Sequence, residues 1–387
     1  MSLIDQEIVI TSVTGKAQRK LFVKLGQEFA VRTPHSVPQI FSELMELVDP
    51  VKNPFFDHAR VELLIAYRGG IAIGRISAHI DELALALPPE QGFGPGTGMF
   101  GYFDAVDEET GRALMAAAED WLRGQGMDRV LGPISMSIWE EPGLLTLGHD
   151  HAPVIMMGHH PAHYQGWIEA NGYAPAKRLL TYDLDVSKQF PPLVQRIVKS
   201  AERNQRLTMR NADKSKFGRE VRIILDILND AWSDNWGFVP FTEREIDYAA
   251  KKLKPIVLSE LVKIVELDGV PQAFMLTLPD INNMLTRIDG KLLPFGWFKL
   301  LRWLRNPKSA DMRVPLMGVL KKHHNTRLAS QMAFMMIDDI RRTAHEKLGV
   351  TRGEIGWILD DNKGMIAIAD TIGSAINREY MIYQKQL

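Results

Sequence analysis

Two acidic side chains stand where a proton can be taken up away from bulk water. Asp280 lies in Leu278-Pro279-Asp280-Ile281-Asn282, directly after an apolar run that reads as a buried strand. The strand and its proline aim Asp280, with Asn282 beside it, into a cleft rather than into solvent. Glu354 leads Glu354-Ile355-Gly356-Trp357-Ile358-Leu359. Strand alternation puts Glu354, Gly356 and Ile358 on one face and Ile355, Trp357 and Leu359 on the other. Either carboxylate is a candidate general base, although a charge at a strand start is commonly only a solvated end. His323 and His324 are further proton acceptors. They belong to the basic turn Lys321–Arg327, between the apolar run Arg313–Val319 and a segment from Leu328 whose apolar residues recur at helical spacing. A buried strand running into a helix N-terminus makes an anion site, because the first amides point outward and the helix dipole favours negative charge. Lys321, Lys322, Arg327 and the amides from Asn325 onward are candidates to hold a phosphate, with Gly318, Val319 and Asn362 completing the set. The plainer alternative is a solvated basic turn ahead of a helix cap.

Three other stretches have suggestive composition. Residues 234–245 contain Trp236, Phe238 and Glu243 and join two expected helices; they offer an aromatic wall for a ligand, or ordinary helix-hairpin packing. Leu292–Leu304, followed by Arg305, interleaves Phe295, Trp297, Phe298 and Trp303 with Lys299 and Arg302. It is too short to span a bilayer, yet it has the make-up of an interfacial segment, with aromatics at headgroup depth and cations toward anionic lipid. Five histidines, His149, His151, His159, His160 and His163, crowd one irregular region. Pro161 breaks the run, so His159 and His163 are not assured a shared helix face, and no metal is expected there.

The elements that must position these residues follow from the whole chain. At 387 residues with 45% hydrophobic and 24% charged content, it exceeds one compact core and predicts two domains. Residues 1–187 carry a net charge of −10 and residues 188–387 one of +9. A basic second half suits a phosphate-rich ligand, an anionic membrane surface or nucleic acid; no base-reading motif points to the last. The absence of cysteine excludes disulfides, thiolate metal sites and Cys nucleophiles. With no signal-peptide pattern and no long apolar run, a cytoplasmic protein is expected, peripheral on the inner face of the membrane through residues 292–305. In each half the expected order is hairpin, strand, helix, strand, helix, strand. Gly172–Tyr182, GYAPAKRLLTY, and Gly373–Tyr383, GSAINREYMIY, both place Tyr ten residues after a helix-ending Gly. The reading is a degenerate domain over 1–187, a basic connector over 188–206, and a second domain over 207–387 with an apolar insertion at about 279–311.

That order resembles the GNAT acyltransferase superfamily in tandem. The chain resembles more closely a bacterial family that includes ceramide synthases, through NPFFDHA (53–59), IGRISAHID (73–81), FGYFDAVDE (100–108), AAEDWLRGQGMDRVLGPISMS (117–137), DNWGFVPFTERE (234–245), LPDINNML (278–285), LLPFGWFKLLR (292–302) and EIGWILDDNKGM (354–365). The resemblance implies an α/β (α+β) fold of two GNAT-like domains, each a mixed twisted sheet flanked by helices. It implies transfer of an acyl group from acyl-CoA or an acyl carrier protein to a long-chain amine, with no metal. On that reading Asp280 or Glu354 removes the amine proton, the basic turn holds the donor's phosphates, and Trp236, Phe238, Glu243, Asn282, Trp297 and Trp357 border the acceptor. Two departures stand out. The run His324–Ala329 lacks the glycines with which the superfamily wraps a pyrophosphate, and Asp107–Arg112 in the first half is acidic. The alternative function is a non-catalytic acyl-thioester or lipid-binding protein on the same scaffold.

Overall fold

The structure, a computed structural model, describes residues 6–387. The chain forms two compact units. One holds the chain up to Leu179 together with Leu285–Trp297 and Arg378–Leu387; the other holds Leu180–Met284 and Phe298–Asn377.

In chain order the first elements are β1 (Ile8–Ser12), α1 (Gly15–Arg32), α2 (Phe41–Leu47), β2 (Ala59–Arg68), β3 (Ile71–Asp81), α3 (Glu82–Leu85), β4 (Thr97–Ala105) and α4 (Glu108–Gly124). Then come β5 (Arg129–Gly132), the short strands β6 (Ile134–Ser135), β7 (Glu141–Pro142) and β8 (Leu144–Leu147), and α5 (His163–Ala170). β9 (Ala174–Asp185) leads on to α6 (Pro192–Glu202), β10 (Leu207–Asn211), α7 (Phe217–Trp232), α8 (Glu243–Leu253), β11 (Val262–Leu267) and β12 (Val270–Pro279). The chain ends with α9 (Asn282–Arg287), α10 (Gly296–Arg305), β13 (Asp311–Val319), α11 (Arg327–Thr343), β14 (Arg352–Leu359), α12 (Lys363–Thr371) and β15 (Ala375–Gln386).

In the first unit the strand order is β1-β2-β3-β4-β5-β15. The strands from β1 to β4 pair antiparallel and β4 pairs parallel with β5. Alternation along β2 sends Leu64 and Ala66 to one face, where they meet Leu114, Met115, Ala118 and Leu122 of α4, and Leu63 and Ile65 to the other, where they meet Phe22 and Val23 of α1. Fully burying each of these Leu or Phe side chains stabilises by roughly 2 kcal/mol. The basic segment leading to Leu25 lies within the amphipathic helix α1. Its buried Phe22, Val23, Leu25, Gly26 and Phe29 recur at helical spacing among exposed lysines. Gly26 is required there: a Cβ would lie 1.9 Å from the Arg75 guanidinium, which crosses α1 to reach Asp104 at 2.7 Å.

In the second unit the order is β9-β14-β13-β12-β11-β10. α11 packs on one sheet face over a core rich in methionine, including Met275, Met312, Met317, Met332, Met335 and Met336. Residues 188–206, expected as a connector, contain helix α6. Pro191 and Pro192 start it, and Val194, Val198 and Ala201 are buried in the same core. The last strand of each half serves the other unit. From Leu180 on, β9 lies beside β14 and Tyr182 packs with Leu180, Ile358 and Ala369. From Arg378 on, β15 pairs with β5 and Tyr383 enters the core of the first unit.

Candidate active site

The second unit brings a fork, a basic turn and a buried charge cluster onto β13 and β14. The two strands pair in parallel only from Asp311–Val314 against Arg352–Ile355, although both run on, to Val319 and Leu359. Pro315 stands where the pairing stops; it has no N–H to continue a ladder. Opposite it, β12 bulges between Leu276 and Leu278. Beyond Val314 and Ile355, then, these neighbouring parallel strands form a fork in which the ladder between them has ended. On the α11 side of the sheet, Met275, Met312, Met317 and Met365 line an apolar cavity of about 20 Å³ with Ile337 and Ile340. On the other side, Trp232 at the end of α7 donates to the Met317 carbonyl at 3.1 Å.

Arg313 and Glu354 are register partners across this fork and share a face. Both are buried, at 2% and 1% exposure. The Glu354 carboxylate accepts from Arg352 at 2.9 Å and from Asn377 at 3.0 Å, and Asn377 is fixed in turn by Thr181 at 2.6 Å. Arg352 also pairs with Asp183 and Asp311. Burial pushes the Asp183 carboxyl up, against the pull of Arg352. Arg313 donates to the Gly356 carbonyl at 3.2 Å and lies 4.7 Å from the centroid of the Trp357 ring. Sequence reasoning gave Arg313 no role, and only its position inside an apolar strand run marked it. The alternation expected along β14 holds through Ile355 and then turns over. Ile358 packs with Leu180 and Ala369, beside Ile355, and Trp357 meets Arg313. The cause is Gly356, at φ 145°, where a Cβ would lie 2.8 Å from the Leu180 carbonyl.

Asp280 is 3% exposed, but its carboxylate accepts from the Asn282 amide at 3.1 Å, at the head of α9. Its own amide donates to the Asp311 carbonyl at 3.0 Å, which ties it to the strand carrying Arg313. Asn282 is buried beside it.

The basic turn is less open than its composition implies. Lys321 pairs with Asp234 and donates to Ser233 at 2.6 Å, and its amide donates to Asp230 at 2.7 Å, all at the end of α7. His324 Nε2 donates to the Val319 carbonyl at 2.8 Å, and His323 Nε2 lies 2.9 Å from Gln272 Oε1. Burial, with Lys322 and His324 nearby, pushes the His323 imidazole down. Lys322 and Arg327 are exposed, Arg327 within 2.7 Å of Ser200. Asn325 adopts φ 60°, and Thr326 caps α11 by accepting from Ala329 at 3.2 Å. Gly318 serves packing, since a Cβ would meet Phe274 at 2.9 Å, and Asn362 caps α12 through Met365 at 3.1 Å. In the first unit the matching helix start is filled by the chain itself. Asp107 caps α4 through Thr110 at 2.8 Å, and buried Arg68 binds Asp107 and Glu109 at 2.7 and 2.9 Å. Although burial opposes it, the bonds from Arg68 and Thr110 hold the Asp107 carboxyl below its usual range.

The remaining candidates are scattered. Phe238 is buried in the α7–α8 linker, Trp236 is half-buried, and Glu243 is exposed at the head of α8, 3.2 Å from Arg222. Trp297 is half exposed on α10, whereas Trp303 is 8% exposed and faces inward. Among the described residues no group of three or more His, Asp or Glu is arranged to hold a metal. In the histidine-rich region, buried Arg378 instead donates to the His151 carbonyl at 2.6 Å.

No protein-family model matches the chain. It is 39% identical over 384 residues to a bacterial ceramide synthase of Caulobacter vibrioides (strain NA1000 / CB15N), covering 99% of this chain and 98% of that protein. The chain belongs to the bacterial ceramide synthase family. Protein YghO of Escherichia coli (strain K12) is 33% identical over 389 residues, 100% of this chain and 97% of that one. Among solved structures, a tandem GNAT protein from the clavulanic acid biosynthesis pathway aligns with TM-score 0.56 and 11% identity over 98% of both chains. A GCN5-related N-acetyltransferase from Kribbella flavida aligns with TM-score 0.51 and 9% identity, over 100% of this chain and 73% of that one. At such identities these two establish the fold alone, a tandem GNAT architecture. As a member of the ceramide synthase family on this fold, the chain is an N-acyltransferase.

Proposed function

We propose that this enzyme moves a fatty acyl group from a thioester, an acyl-CoA or an acyl carrier protein, to the amine of a long-chain sphingoid base, giving a ceramide-type amide. The observation that carries the reading is the 39% identity over nearly the full length of a bacterial ceramide synthase. The geometry of the second unit supports it. The capped start of the 17-residue helix α11, with exposed Lys322 and Arg327, suits the phosphate of CoA or phosphopantetheine. The fork beyond Val314 and Ile355 offers strand edges along which an extended thioester arm can lie, with backbone amides to stabilise an oxyanion. The methionine-lined cavity gives the acyl tail a route inward, since unbranched thioethers repack readily around an inserted chain.

The amine nitrogen attacks the thioester carbonyl; a C–N bond forms, the C–S bond breaks, and the sulfur leaves to become a free thiol. The proton lost by nitrogen needs an acceptor. Glu354 is the better candidate, because it is buried beside Arg313 at the root of the fork. Asp280, 3% exposed, lies off the fork at the head of α9, which favours a positioning role. The test is purified protein with a long-chain acyl-CoA or acyl carrier protein and sphinganine, read by free thiol and by mass of the amide. Glu354→Gln is expected to lower kcat by about 100-fold or more, and Asp280→Asn by less. Wild-type turnover in both variants, with folding intact, would remove the carboxylate-base assignment. Donor binding without thiol release under any pairing would leave a non-catalytic lipid-binding protein.

A further inference from the structure

We infer that Leu292–Arg305, the turn before α10 and α10 itself, is an interfacial segment that seats this protein on an anionic lipid bilayer. The inference rests on the exposure and charge of this one segment and not on the reaction. Leu293 is 79% exposed, Phe295 71%, Trp297 50%, Phe298 54% and Leu301 41%. Exposed apolar residues scattered singly need no explanation, but five within nine consecutive positions form a patch.

The helix has two apolar sides. At about 100° per residue, Trp297, Leu301 and Phe298 fall within an arc of about 100°, and Trp303 lies roughly opposite its middle. Trp303 faces inward at 8% exposure and donates to the Lys308 carbonyl at 3.3 Å, so packing is satisfied by that side. The outward apolar arc remains exposed. The Trp297 ring is held by a bond from its Nε1 to the Pro294 carbonyl at 3.1 Å, which keeps the turn and the first helical residue together.

Charge selects the occupant. Arg305 falls within the outward arc, Arg302 about 40° beyond its edge, and Lys299 farther round. No acidic residue occurs from Leu292 to Arg305. Lys299, Arg302 and Arg305 are exposed and form no ion pair among the described residues. Long cationic side chains around an aromatic patch let the rings enter the headgroup layer while the charges stay at phosphate level. A second copy of the chain on a two-fold axis would set these cations against their own images, which disfavours that occupant. Spanning is excluded for this helix, because ten residues cover only about 15 Å.

The experiment is co-sedimentation of the full-length protein with vesicles of phosphatidylcholine alone or with about one-third phosphatidylglycerol, carrying no sphingoid base or acyl thioester. Failure of the acyltransfer reading therefore leaves this result untouched, and the reverse. The protein is expected to partition onto the anionic vesicles about tenfold more strongly than onto neutral ones, and to release as salt is raised. Phe295→Ser/Phe298→Ser and Arg302→Glu/Arg305→Glu should each weaken that partition about tenfold or more, with unchanged melting temperature. Because both pairs are exposed, the folded state should tolerate them. The proposal is overturned by wild-type protein that stays in the supernatant with both vesicle types, or by variants that bind as wild type. It is equally overturned if light scattering finds a dimer that either variant dissociates.

Discussion

Arg313 and Glu354 occupy neighbouring register positions at the root of the fork, each held by different partners. Glu354 is fixed by Arg352 and Asn377, so its carboxylate keeps one orientation whatever binds nearby. Arg313 donates to a carbonyl and lies against an aromatic face. Lysine cannot reproduce a planar fork stacked on a ring. Arg313→Lys is therefore expected to destabilise by about 1–3 kcal/mol in urea unfolding, with an unchanged urea dependence. A second residue-level consequence concerns pH. His79, at 0% exposure on β3 against Phe55, is pushed down to about 3 by burial. Unfolded, the imidazole takes up its proton below about 6.5; folded, it does not until about 3. Stability is thus full above about pH 6.5 and declines as pH falls through that window, by about 1.4 kcal/mol per pH unit from this residue. Between pH 7 and pH 5 the wild type should lose about 2 kcal/mol more than His79→Leu in urea unfolding, and equal losses would show that His79 protonates in the fold.

The strand–turn–helix of each unit shows how one element can keep its shape and change its chemistry. The start of α4 is filled by Asp107 and locked by Arg68, so it has no room electrostatically for a second anion. The start of α11 carries Thr326 as an uncharged cap, with Lys322 and Arg327 exposed beside it. Lys321 is committed to Asp230 and Asp234 and positions the turn against α7. Reversing the two exposed charges, in Lys322→Glu/Arg327→Glu, is expected to raise the KM for an acyl-CoA about tenfold or more, less so at high salt, and to leave kcat and the melting temperature close to wild type. A fall in kcat at unchanged KM would move the phosphate site elsewhere.

Across the whole molecule, the chain completes each core with a strand from the other half. Tyr380, Ile382 and Tyr383 are fully buried and supplied by the C-terminal strand to the first unit, while Leu180 and Tyr182 serve the second. The physical consequence is that half-chains lack the apolar area that finishes their sheets. Residues 1–187 and 188–387 expressed separately are each expected to be rapidly cleaved in limited proteolysis, and co-expression should restore resistance. Resistant separate halves would show that the exchanged strands are dispensable. No helix of the described residues is long and apolar enough to cross a membrane.

Much of this was legible in order and period. The strand, turn and helix over 311–343, the α7–α8 pair and the β11–β12 hairpin follow from apolar spacing and turn residues, because local backbone preference and amphipathic period act within a few residues. The family was legible in a series of short runs, and the exposed aromatic segment in its composition. Local pattern could not decide which partner each charge would find. Lys321 looked as available as Lys322 until α7 brought Asp230 and Asp234 to it. Asp280 and Glu354 looked alike until their donors were seen, the Asn282 amide for Asp280 and Arg352 with Asn377 for Glu354. Arg313 was only the first residue of an apolar run until Gly356 and Trp357 met it from β14. Nor could the repeat, visible as two similar terminal strands, reveal that each closes the other unit. Sequence determined the elements, because their periodicity is a property of neighbours along the chain. The tertiary structure decided pairing, burial and strand exchange, because electrostatic and packing energies depend on distances between residues far apart in sequence.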